Sequence, residues 1–282
     1  MGLSGEQGLI QDFGVKSEHP QMTMEEFELL PMRPGWKYEY WDGRAHITPR
    51  ENGVIVSMPV AARRASTSFV LRRVSSDDAL ELTSAFLEAF VDSVEYCDWE
   101  TGKISEAADI AIRSHFSGKR GKPHIASRVA MAFDRGLRRD SIVGAALLAR
   151  APRYPILDLL FVRPPWQRSG IATALMSNAM NELHDLGETL LKSAYHAAND
   201  GSMNWHRRFG FVEEPDLLRA RLYASSARHE LWRCEKIGDV SHSENARLRD
   251  EADAWKQEVE RLEAIADRDG YEAVAPVMTW LE

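Results

Sequence analysis

Residues 157–175, LDLLFVRPPWQRSGIATAL, constrain this chain more than any other stretch. An apolar run ends at Val162, a Pro-containing joint follows, then Gln167-Arg168-Ser169-Gly170-Ile171-Ala172, then an apolar segment of helical period. The spacing predicts strand, anion-binding turn and helix. A diphosphate needs several backbone N–H donors converging on it, and a helix N-terminus supplies them with a favourable dipole. Gly170 lets the main chain approach closely because no Cβ intervenes. Gln167 to Thr173 supply the amides, Thr173 adds a hydroxyl, and Ala172 is small. Arg168 either brings its charge to the anion or points to solvent. A plain strand–turn–helix connection is the blander alternative.

The rest of the chain is parsed by periodicity and turn residues. Residues 1–20 are polar and read as a flexible N-terminus. Thr23 and Glu26 form a capping-box pair, so a short helix starts there and Pro31 stops it. Residues 36–41 and 44–48 flank Asp42-Gly43, a two-residue hairpin turn. A turn at Glu51-Asn52 and a strand at 54–56 follow, so residues 21–60 make a small helix–hairpin module. A domain over 67–236 comes next. In it the sequence predicts a strand at 69–74, helices at 80–94 and 103–116, and strands at 129–133, 142–148 and 157–162. Gly144 marks a bulge. A helix at 173–186, a strand at 190–195, a helix at 199–208 and closing strands at 217–223 and 230–234 complete it. In the C-terminal segment 243–282, Leu248, Ala252, Trp255, Val259, Leu262 and Ala266 form a heptad seam. That seam either joins a second copy, giving a homodimer, or lies on the domain's own surface.

The formal charge of −8 runs against a general nucleic-acid binder, which presents a basic surface. Lys119-Arg120-Gly121-Lys122 is a local exception, either an anion site or a solvated turn. Cys97 and Cys234 are the only cysteines and form no CxxC pair, which argues against a disulfide framework or a zinc site. The N-terminus lacks a secretory signal, and no apolar run reaches the ~18 residues of a spanning helix. A cytoplasmic protein with no membrane partner is expected.

Residues 162–172 resemble the signature of the GNAT superfamily of acyl-coenzyme A-dependent N-acetyltransferases. Downstream, Asn199-x-x-Ser202-x-x-Trp205-His206-x-x-x-Gly210-Phe211 is similar to the family's N-x-x-(A/S)-x-x-(F/W)-Y-x-x-x-G-F. The resemblance covers residues 68–234. It implies an α/β (α+β) fold with a mixed, mostly antiparallel sheet, splayed at the cofactor site and flanked by helices. It implies acetyl-coenzyme A (acetyl-CoA) as cosubstrate, no metal, and a small-molecule or peptide amine as acceptor. Leu160, Phe161 and Val162 would then offer backbone groups to the pantetheine arm. Arg168, Ser169, Gly170, Ile171, Ala172 and Thr173 would hold the pyrophosphate, with Gln167 at the edge of the turn. Asn199 would contact the cofactor's arm, cap its helix, or do both.

Acetyl transfer needs a neutral amine, an oriented thioester, oxyanion stabilisation and a proton for the leaving thiolate. A main-chain N–H near Phe161 or Val162 could polarise the carbonyl. His206 stands where the family has its tyrosine acid. An imidazole near ~6.5 is a partial acid at neutral pH, whereas a phenol near ~10 stays protonated. His206 is therefore either the proton donor or a polar residue near the sulfur. Asp158 is the only carboxylate of its strand. It precedes Val162 by four residues and is expected on the same face. It is either the base or a group that binds a cationic amine without taking its proton; burial would raise its pKa. Tyr195 and His196 are further candidates. Asp158 and the net charge favour a cationic acceptor. The missing tyrosine keeps a second class open, an acyl-coenzyme A sensor or docking protein without turnover.

Residues 22–48, with MTMEEF, LP and YEYWDG, resemble the start of a bacterial family of restriction endonucleases with a PD-(D/E)xK core. The metal-binding acidic residues and lysine of that core have no counterpart here. Only the shape of an accessory module carries over, and not the nuclease activity.

Overall fold

A computed structural model describes residues 16–50, 53–64, 67–134, 138–238 and 241–276. Most of the expected flexible N-terminus, the turn at Glu51-Asn52 and the tail after residue 276 lie outside the described residues. Near the N-terminus the local signals hold. Thr23 and Glu26 cap α1 (Met24–Glu28) reciprocally. β1 (Trp36–Trp41) and β2 (Arg44–Pro49) pair antiparallel around Asp42 and Gly43, whose φ values are 52° and 71°. Glu18 bridges to Ile47, so the flexible stretch expected up to residue 20 is anchored to β2 before it ends.

β3 (Gly53–Pro59) does not stay with the hairpin. It enters the main sheet, where the expected boundary at residue 60 had placed only later strands. The remaining elements are β4 (Val70–Arg73), α2 (Ala79–Phe90), α3 (Thr101–Phe116), β5 (Lys122–Pro123), β6 (Arg128–Asp134), β7 (Arg139–Arg150) and β8 (Pro155–Val162). Then come α4 (Ile171–Asp185), β9 (Leu190–His196), α5 (Asp200–Phe209), β10 (Val212–Glu213), α6 (Leu217–Ile237) and α7 (His242–Asp269). The sheet order is β10-β3-β9-β8-β7-β6-β4, with β5 also on β7. Its pairs are antiparallel except β8 with β9. This is the mixed, mostly antiparallel α/β architecture expected.

Helices cover both faces, which is why β7 is buried from Ser141 to Ala149. On one face Phe86 of α2 and Ile112 of α3 pack on Ile142, Leu147 and Phe161. On the other, Leu175 and Met176 of α4 and Phe209 of α5 pack with Ala146 and Val162. A β7 bulge falls at Val143, next to Gly144: Ala130 pairs Gly144 and Met131 pairs Ile142.

The closing strands expected at 217–223 and 230–234 are instead the single helix α6. Leu217, Ala220, Tyr223, Ala224, Ala227 and Cys234 are its buried stripe. Steps of three and four residues share a face on a helix, whereas on a strand they would scatter over both faces. The heptad seam of α7 lies against α6 of the same chain. Leu262 clusters with Leu217 and Ala220, and Tyr223 meets Trp255 edge-on at 4.7 Å. Among the described residues no helix is long and apolar enough to cross a membrane.

Candidate active site

β8 and β9 pair only at Ile156↔Lys192 and Leu157↔Ser193. Beyond that point they part. β8 follows β7 as far as Gly144↔Val162, and β9 follows β3 as far as Gly53↔His196. Alternate residues of β8 past Leu157 therefore turn their N–H and C=O groups into the gap. Leu160, Phe161 and Val162 lie along this edge.

The turn after β8 starts from a buried anchor. Arg163 donates from Nε to the Ile142 carbonyl at 2.8 Å and pairs with Glu88 at 2.5 Å. Arg168 and Gly170 take φ values of 59° and 86° before α4 begins. The first bond into α4 runs from Ala174 N–H to Gly170 C=O, 2.9 Å. Among the described residues, no acceptor takes the N–H groups of Arg168, Ser169, Gly170, Ile171, Ala172 or Thr173. A Cβ at Gly170 would meet nothing within 4 Å. Unpaired amides, a helix N-terminus and open space at the glycine fit a diphosphate. Gln167 donates from Nε2 to the Val162 carbonyl at 3.1 Å, and the Ser169 hydroxyl donates to the Trp166 carbonyl. Both side chains brace the turn, and Arg168 is exposed. Gly144 seats α4: a Cβ there would lie 3.0 Å from Ile171 Cγ2.

A second bulge moves Asp158. Leu147 pairs Leu159 while Leu148 pairs Leu157, so Asp158 is the extra residue. It does not share Val162's face, as the two-residue period had suggested. Val162 packs beneath α4, whereas Asp158 meets Arg120 and His115 on the α3 side. Arg120 donates from Nε to Oδ1 at 2.8 Å and lies 2.7 Å away through its terminal nitrogen. The Asp158 side chain is wholly buried and that of Arg120 is 38% exposed. His115 is also buried, with Nδ1 3.5 Å from Asp158 Oδ2; neither ring nitrogen has a hydrogen-bond partner among the described residues.

The opposite face of the same apex carries His206. The Ser202 carbonyl can only accept, so at 2.8 Å it fixes the hydrogen on Nδ1. Nε2 then accepts from the Ser193 hydroxyl at 3.0 Å. Tyr195, Trp205 and Phe211 surround the ring. Burial pushes its pKa down to about 4, only partly opposed by the bond to Ser202. The expected partial acid at neutral pH is thus a neutral, hydrogen-bonded ring. Tyr195 donates to Glu213 at 2.7 Å, and burial pushes its phenol up to about 12, which removes it as a base. His196 Nδ1 accepts from Ala198 N–H at 3.1 Å.

Asn199 caps α5 by accepting from Ser202 N–H at 2.8 Å, and its Nδ2 donates to Glu95 Oε1 at 2.7 Å. Both ends of its amide are thus engaged within the protein. Glu95 belongs to the short turn between α2 and α3, where Tyr96 packs on Phe86 and Phe90, and these on Phe161. That turn links the β8 side of the gap to the residue beyond β9. The N-terminal hairpin backs it: Trp36 clusters with Val94 and Ala198, and Arg33 pairs with Asp200 at 2.7 Å. Sequence reasoning missed Ser193, Glu95, His115 and the pairing of Arg120 with Asp158. Only Arg120 had carried a signal, as part of a basic cluster.

Residues 95–211 match the model of the acetyltransferase (GNAT) family. The parted strands, the turn and α5 all fall within the stretch that is similar to that family. Residues 22–48 lie outside that match. No curated protein matches the chain. Among solved structures, a GCN5-related N-acetyltransferase from Sphaerobacter thermophilus is 18% identical over 57% of this chain and 48% of its own, with a TM-score of 0.39. A functionally unknown conserved protein from Staphylococcus epidermidis is 12% identical over 57% of each chain, at 0.40. The ribosomal-protein-S18-alanine N-acetyltransferase from Escherichia coli is 16% identical over 53% of this chain and 83% of its own, at 0.38. The chain thus spans only about half the length of the first two.

Proposed function

We propose that this protein transfers an acetyl group from acetyl-CoA to a primary amine by direct attack. The observation that carries the proposal is the run of unpaired amides from Arg168 to Thr173, set at the N-terminus of α4 beside the parted strands β8 and β9. The pyrophosphate takes the amides, and the pantetheine arm lies along Leu160 to Val162 as a strand would. That places the thioester toward the apex at Leu157 and Ser193. The neutral amine attacks the carbonyl carbon and forms a tetrahedral oxyanion, which a β8 amide stabilises. The C–S bond breaks, the nitrogen gives up its proton, and the thiolate takes one up. Asp158 serves as proton acceptor directly or through water, held by Arg120. His206 does not donate. It shapes the apex as a neutral hydrogen-bond acceptor for Ser193.

Acetyl-CoA is expected to raise the melting temperature, and free thiol should appear when amines are added. Gly170→Glu, which sets a carboxylate at the amides, should abolish the thermal shift. Retention of that shift would show that the pyrophosphate sits elsewhere. A neutral His206 also favours a second proposal, an acyl-coenzyme A-binding protein without turnover. The thermal shift without any thiol release is its signature.

A further inference from the structure

We infer that Ser193 and His206 form a nucleophile–base pair at the apex of the fork, and that Ser193 takes the acetyl group from acetyl-CoA and passes it to water when no amine is bound. The inference rests on the acetyltransferase proposal above for the placement of acetyl-CoA, and it adds a second fate for the acetyl group.

β9 turns Leu191, Ser193 and Tyr195 to one buried face. Leu191 and Tyr195 join the apolar core, and Ser193, 2% exposed, puts a hydroxyl between them. A buried hydroxyl needs a partner, and α5 supplies one in His206, 3% exposed. The pair has a direction. Nδ1 carries the imidazole hydrogen, because the Ser202 carbonyl at 2.8 Å can only accept, so the Ser193 O–H points at Nε2 across 3.0 Å. The Leu157 carbonyl, at 3.4 Å, is the longer alternative for that hydrogen. A hydroxyl aimed at one imidazole nitrogen, with the other nitrogen held by a fixed acceptor, is the arrangement that activates a serine. Burial lowers the pKa of the ring to about 4, so Nε2 is open to a proton at neutral pH. The same burial makes it a weak base and the reaction slow.

Ser193 stands opposite Leu157 in the last β8–β9 pair, so the gap opens at its own rung. On the face that holds His206, Leu160 of β8, Ala172 of α4, and Met203 and Trp205 of α5 pack on the core but are only partly buried. They run from the first turn of α4 to the neighbour of His206, which is the course the thioester follows to the hydroxyl. Ser193 Oγ attacks the thioester carbonyl carbon, and its proton passes to Nε2. A main-chain N–H of the parted β8 meets the oxyanion. The C–S bond breaks, the imidazolium protonates the thiolate, and coenzyme A leaves an acetyl-serine ester behind. Water then attacks the ester carbon and gives a proton to Nε2, the C–Oγ bond breaks, and that proton returns to Ser193. Acetyl-CoA and water thus become acetate, coenzyme A and a proton.

The test is isotope exchange in the absence of any amine. Formation of the serine ester is reversible, so labelled coenzyme A should enter the acetyl-CoA pool while acetate accumulates. Direct attack by an amine offers no route to that exchange. Ser193→Ala should lower both rates by about a hundredfold or more, and His206→Gln should do the same. Digestion of acid-quenched wild type should find the acetyl group on the peptide that holds Ser193. No exchange in wild type, exchange that Ser193→Ala retains, or an acetyl group found only on another residue overturns the serine assignment. The first of these outcomes needs no variant to fold. Where acetyl-CoA still raises the melting temperature and amines still release thiol, the serine assignment falls alone, and the bond from Ser193 to His206 is structural. No thermal response to acetyl-CoA overturns the acetyltransferase proposal, and the role of Ser193 with it.

Discussion

The two faces of the fork's apex solve one problem in opposite ways. Toward α5, His206 is buried among aromatic rings with no counter-charge beside it among the described residues, and it gives up its proton. Toward α3, Asp158 is buried just as fully, but Arg120 stands beside it. A few ångströms of strand separate a neutral hydrogen-bonded chain from an ion pair. Burial alone does not decide whether a group is charged; the presence of a partner does.

Acid should separate the two faces most strongly. The His206 pKa lies lower in the folded protein than its ordinary 6.5, at about 4, so as pH falls the unfolded chain takes up the proton first. The associated stability is complete above 6.5 and drains away down to about 4. At about 1.4 kcal/mol per tenfold in proton affinity, the loss approaches about 3 kcal/mol. Urea titrations of wild type and His206→Gln across this range should converge toward acid; parallel curves would place His206 in water.

Next in size is Arg120→Ala, which leaves the buried Asp158 with the His115 imidazole at 3.5 Å and without its guanidinium. Breaking a buried pair costs ~3–5 kcal/mol, and the part-exposed guanidinium reduces this to about 2–3 kcal/mol. Adding Asp158→Asn should recover much of the loss, and chemical denaturation of the four proteins in the cycle measures it. The smallest effect is expected from Ser193→Ala. It removes a neutral hydrogen bond to His206 at about 1 kcal/mol. A cost equal to that of Arg120→Ala would mean that the α5 face is also ionic.

Much of this architecture was legible locally. The capping box at Thr23, the Asp-Gly hairpin and the periods of α2, α3 and α4 depend on neighbours in sequence, and they form as expected. The turn from Gln167 to Thr173 was legible because glycine and small residues permit few alternatives there. What failed depends on distance or on one shifted residue. The bulge at Asp158 reverses a face without leaving a mark in an apolar run. The neutrality of His206 comes from rings brought in by β9 and the segment after α5. The bond between Arg120 and Asp158 spans elements that no local pattern relates. In α6 the apolar residues bunch at 217–223, which imitates a strand until the full stripe is counted.

β3 has a consequence for the order in which the protein can fold. β9 holds β8 by only the pairs at Ile156 and Leu157, but it holds β3 along its whole length, from Leu190↔Pro59 to His196↔Gly53. The strand made early in synthesis must therefore wait for one made much later, a long loop closure of the kind that slows folding. β3 then acts as a splint: β9 can part from β8 because it is fastened from behind. A fragment that starts at Glu95, where the family match begins, would lack the splint. It would present β9 as a bare edge to the next molecule and should aggregate.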